Sequence, residues 1–74
     1  MLIVSQNRTT VYNLDKIKSI SVEGINYSYE YGISINNEMA GKYCSKERAQ
    51  GVLDEIVEKY ATYQEPKFYT LPQE

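Results

Sequence analysis

The sequence contains no histidine. That absence removes the commonest general base, the commonest metal ligand and the usual activating partner of a nucleophilic serine or cysteine. Cysteine is almost absent too: Cys44 alone cannot close an internal disulfide, which agrees with a reducing compartment. No apolar run approaches the roughly 20 residues that span a bilayer, and Met1 to Val4 is too short for the apolar stretch of a signal peptide. There is no glycine-rich phosphate loop and no basic run of the kind that marks a nucleic-acid footprint. Together these gaps argue against an enzyme, a bound metal or cofactor and a membrane partner. They predict a cytoplasmic protein.

What is present suffices for one small domain. Hydrophobic residues make up 42% of the 74, too many for a disordered chain, and the net charge is −2. A chain of this size buries roughly 60% of its unfolded surface, so a partner that covers more of it adds usefully to stability.

The most regular stretch is Ile25 to Ile35, INYSYEYGISI. Ile25, Tyr27, Tyr29, Tyr31, Ile33 and Ile35 alternate with Asn26, Ser28, Glu30, Gly32 and Ser34. A period of two predicts one strand with an apolar, tyrosine-rich face. Before it, Leu2-Ile3-Val4 and TTVYNL (9–14) read as a hairpin around the turn residues Gln6, Asn7 and Arg8. Leu14 and Ile17 are spaced for one helical turn, and Ile20 and Val22 alternate with polar residues in a third strand that turns at Glu23-Gly24. After the tyrosine strand, Asn36-Asn37 is a two-residue hairpin turn, since both central positions of a type I′ turn need positive φ. Glu38 to Cys44 is the last strand, with Met39 and Tyr43 on one face and Ala40 and Cys44 on the other. Gly32 marks a bulge or a close backbone approach.

Ser45 is a natural N-cap. Behind it Ala49, Val52, Leu53, Ile56, Val57 and Tyr60 recur at helical spacing, opposite a charged face. Gly51 interrupts this helix, either tolerated there or placed for a close neighbour. Pro66 ends the helix, and residues 64–74 form an extended tail. Phe68, Tyr69 and Leu71 make that tail too apolar to be free, so it docks on the domain of residues 1–63 or on a partner. The expected fold is α+β, with about five antiparallel strands in one sheet followed by a single amphipathic helix across one face. One helix cannot cover five strands, so the bare part is the functional surface or an oligomer interface.

Candidate binding residues follow from this layout. Tyr27, Tyr29 and Tyr31 are core, a protein interface or a platform on which bases stack. Lys42, Tyr43, Lys46 and Arg48 flank the helix start, where free amides and cations suit an anion, although solvated charges on a surface turn account for them better. Phe68 and Tyr69 are tail contacts. Cys44 reads as a half-buried small hydrophobe, and the acidic helix face (Asp54, Glu55, Glu58) as a solvated one. No residue is assigned a catalytic or metal-binding role.

MLIVSQN at the start and GKYCSKERAQGVLDEIVEKY later in the chain resemble small uncharacterised phage and prophage proteins of Firmicutes. The pattern carrying the resemblance is a tyrosine followed by Glu47-Arg48-Ala49, Val52, Leu53, Glu55 and Ile56. The resemblance implies a phage-encoded protein of the host-cell cytoplasm that binds stoichiometrically. Counter-defence is one such role, by inhibiting a host immune protein or by sequestering a phosphate-bearing immune signal as a homo-oligomer. The alternative is a single-stranded nucleic-acid or DNA-associated regulatory module that uses the strand tyrosines.

Overall fold

Three apolar residues at the start of the chain form β1 (Leu2–Val4), paired antiparallel with β2 (Val11–Asn13). The computed structural model describes residues 1–25, 30–62 and 68–74. In the turn between the two strands, Arg8 takes the left-handed conformation, with φ of 64°. Asn7 contributes its side chain instead: Oδ1 accepts from the Ser5 hydroxyl and from both the amide and the hydroxyl of Thr9. Asn13 caps a single 3₁₀ turn, Leu14–Lys16, by accepting from the Asp15 amide at 3.0 Å.

The second sheet is a meander of β3 (Ile20–Gly24), β4 (Tyr31–Ile35) and β5 (Glu38–Tyr43) in the order β3-β4-β5. Asn36 and Asn37 have φ of 51° and 68°, so the asparagine pair makes the expected two-residue turn. The Asn36 side chain also reaches back to accept from the Lys18 amide at 2.7 Å, which anchors the start of β3.

Four expectations need correction. The tyrosine stretch does not run as one strand from 25 to 35: the Ile25 amide donates to Glu30, so these two residues face each other across the β3–β4 ladder, and Glu23-Gly24 lies inside β3. In the sequence the period of two carries on through residues 26–29, which lie outside the described residues, so the pattern alone does not separate β3 from β4. Second, Met39 and Tyr43 do not share a face. Ile33 pairs with Gly41 but Ser34 with Met39, so Ala40 is an extra, bulged residue. A one-residue slip moves every later side chain to the opposite face. Tyr43 is therefore buried and Met39 exposed, its thioether lying where a side chain on Gly32 would have to go.

Third, Cys44 is exposed and lies beyond the end of β5. Fourth, the described residues contain no five-stranded sheet. The described residues form two three-stranded sheets, because the 3₁₀ turn carries the chain away from β2 before β3 begins. The third strand of the first sheet comes from the C-terminal segment: β6 (Phe68–Thr70) lies parallel to β1, giving the order β2-β1-β6.

The helix α1 (Lys46–Thr62) packs across β3, β4 and β5. Ser45 caps it, its hydroxyl accepting from the Arg48 amide at 3.1 Å. Ala49, Val52 and Ile56 point into the core with Ile3, Ile33, Ile35, Tyr43 and Leu71. Val57 and Tyr60, expected in the same stripe, remain 58% and 47% exposed. Val57 is turned about 100° from Ile56, off the core stripe. Tyr60 stays close to that stripe in angle but lies in the last turns of the helix, where its hydroxyl meets Asp15 of the 3₁₀ turn.

Gly51 has no atom within 4 Å of the place a side chain would occupy, so the helix simply tolerates it. Gly51→Ala is expected to stabilise the domain by about 0.5–1 kcal/mol. A higher urea midpoint with an unchanged m-value is the check.

Candidate functional site

Two of the side chains that the sequence offered for ligand binding, Tyr43 and Arg48, turn out to hold the C-terminal segment. Leu71 is fully buried and its amide donates to the Val4 carbonyl at 3.0 Å, continuing β6 along β1. Gly41 lies beneath it: a side chain there would sit 3.2 Å from Leu71 Cδ1 and 3.3 Å from Gln6 Cβ. The glycine is what allows the segment to approach β5 so closely. Tyr43 donates its hydroxyl proton to the Pro72 carbonyl at 2.8 Å, and Arg48 donates to the Glu74 carbonyl while its guanidinium lies 5.8 Å from the centre of the Tyr43 ring. Burial raises the Tyr43 pKa, partly offset by Arg48. Tyr69 is raised further, by burial first and then by the hydrogen bond it gives to Glu55. Both phenols therefore stay neutral donors well above neutral pH.

Gln6 ties this cluster together. Its Nε2 donates to the carbonyls of Lys42, Pro72 and Gln73 at 2.9, 3.1 and 2.9 Å, and its Oε1 accepts from the Lys42 amide at 2.8 Å. Its backbone amide donates to Ala40 at 2.8 Å, across the bulge, and so joins the two sheets. Sequence reading took Gln6 only for a turn residue. The apolar tail was the one signal that something had to receive it.

The remaining candidates scatter. Tyr27 and Tyr29 lie outside the described residues. Tyr31 is half-buried on the inner face of β4, paired with Tyr43, its ring beside Gly24. Lys42 and Lys46 are exposed. Phe68 is 72% exposed on the opposite face of β6 from Tyr69.

Two surfaces are left open. The first is the outer face of β2-β1-β6. Leu2 pairs with Phe68 and Val4 with Val11, so these four apolar side chains share one face, while Ile3, Tyr12 and Tyr69 share the other. Leu2 and Val11 are 42% and 57% exposed. The second is a groove of about 380 Å³ between the 3₁₀ turn, the start of β3 and the last turns of α1. Leu14, Ile17, Ile20, Val57 and Tyr60 line it. At its rim the Tyr60 hydroxyl donates to Asp15, a bond that lowers the Asp15 pKa and raises that of Tyr60. Neither surface was singled out by the sequence, because each is assembled from residues far apart in the chain.

The chain matches none of the protein-family models, curated proteins or solved structures with which it was compared.

Proposed function

We propose that the chain is a non-catalytic binding protein that acts stoichiometrically and pairs with a second copy of itself through the outer face of β2-β1-β6. The observation that carries this reading is the exposure of Leu2, Val11 and Phe68 on one sheet face, Phe68 beside Leu2 and Val11 beside Val4. Burying a large apolar side chain is worth about 1.5–3 kcal/mol. A twofold axis would bring the same patch from each copy together, the commonest form of soluble oligomer.

A protein partner suits this chain better than a phosphate-bearing ligand. Arg48, the best phosphate donor among the sequence candidates, already donates to Glu74 and lies over Tyr43. The resemblance to small phage proteins supports a setting in which such a module occupies a host protein. The nucleic-acid alternative rests on Tyr27, Tyr29 and Tyr31; the first two lie outside the described residues, and Tyr31 is half-buried on the inner face of β4.

Native mass spectrometry and sedimentation velocity test the reading. The wild-type protein is expected to run as a dimer at tens of micromolar, and Phe68→Asp, at an already exposed position, as a folded monomer. A wild-type protein that stays monomeric at millimolar concentration contradicts it.

A further inference from the structure

The free edges of the two sheets differ in what they offer. β2 and β6 provide three residues each. β5 is closed at Lys42, where the Gln6 side-chain amide takes both backbone groups as a neighbouring strand would, and at Ala40, whose carbonyl accepts from the Gln6 amide. β3 is different. It has five residues and one neighbour, and among the described residues no backbone hydrogen bond reaches its outer side. It contains neither proline nor lysine, the residues with which proteins commonly blunt an edge.

The apolar groove runs alongside the start of this edge. Ile20 and Val22 belong to the sheet face that α1 covers, so a strand added beside β3 would direct alternate side chains toward the helix, over Ile17, Val57 and Tyr60. The charge there is unbalanced. Asp15 pairs with the α-amino group of Met1 at 3.7 Å and accepts from Tyr60, whereas Lys18 at the rim has no ion-pair partner among the described residues.

We infer that the β3 edge and this groove form a docking site for an extended peptide segment of a partner protein. The segment adds a strand to β3, seats one aliphatic side chain in the groove and places an acidic residue against Lys18. Backbone bonds to the edge then supply affinity, and the groove and Lys18 supply selectivity. The inference rests on the reading of the chain as a binding module and names the chemistry of one partner.

The probe is an array of capped heptapeptides with alternating apolar and polar residues, a leucine at the centre and glutamate beside it. Two control arrays replace the glutamate by lysine or methylate alternate backbone nitrogens. Titration into ¹⁵N-labelled protein is expected to shift the amides of Lys18 to Glu23 and of Val57 and Tyr60. N-methylation should abolish the shifts, and Val57→Asp should weaken binding about tenfold or more. Lys18→Glu, at an exposed position, should reverse the preference from glutamate to lysine peptides. The inference is overturned if no peptide moves those amides at millimolar concentration, if N-methylated peptides bind equally, or if shifts are confined to the Leu2–Val11–Phe68 face. Dimerisation through Phe68, measured separately, still decides the broader reading in each of those cases.

Discussion

Replacing Leu71 by alanine is expected to lower the unfolding free energy by about 2–5 kcal/mol. A residue four places from the end of a solvated tail would instead change stability by no more than about 0.5 kcal/mol. The difference follows from burial: Leu71 is fully enclosed, packs over Gly41 and continues the parallel ladder of β6 on β1. A 74-residue domain has roughly 4–11 kcal/mol of stability in all, at about 0.05–0.15 kcal/mol per residue. The substitution thus removes a large share of it. Urea denaturation measures the loss. If the whole segment detaches before the rest unfolds, the m-value falls as well, because less surface is exposed in the main transition.

Gln6→Ala is expected to cost about 1–3 kcal/mol, since it takes this partner from the Lys42 amide and from the carbonyls of Lys42 and Gln73, while the Pro72 carbonyl keeps the Tyr43 hydroxyl. Water can reach part of this cluster, which keeps the cost below a full desolvation penalty for each group. Gln6→Glu separates donation from shape. At neutral pH the carboxylate can accept from Lys42 but has nothing to give to the carbonyls of Lys42, Pro72 and Gln73, so it should be no better than alanine. Carbonyl oxygens around a carboxylate raise its folded-state pKa above the unfolded value of about 4.3. The variant's stability relative to wild type is therefore greatest below that unfolded value and is lost as pH rises through the folded one. A Gln6→Glu protein as stable as wild type at pH 7 would mean that Gln6 holds nothing.

The local elements were legible because local chemistry decides them. The asparagine pair at 36–37 can make a tight turn, Ser45 can cap a helix, and Ala49, Val52 and Ile56 recur at helical spacing whatever lies nearby. Long-range pairing was not legible. Nothing in Phe68-Tyr69-Thr70 says that its neighbour is Leu2-Ile3-Val4 or that the two run parallel. The Ala40 bulge inverts the faces of β5 after Met39, a change that a strict alternation rule cannot register. For the candidate site, residue types misled: Tyr43 and Arg48 look like ligand groups, yet both are occupied by the backbone of Pro72 and Glu74. The open surfaces lacked any contiguous signature. Leu2 meets Phe68 only after β6 docks, and Ile17 meets Val57 only after α1 folds over β3.

The most direct measurement is amide hydrogen exchange at Leu71. Its N–H donates to Val4 in the ladder that makes the C-terminal segment part of the fold, closes the β5 edge through Gln6 and sets Phe68 on the outer face. The structure predicts that this amide exchanges only with global unfolding, as slowly as the amides of the core strands. Exchange at the rate of a free tail, while those core amides stay protected, would contradict it.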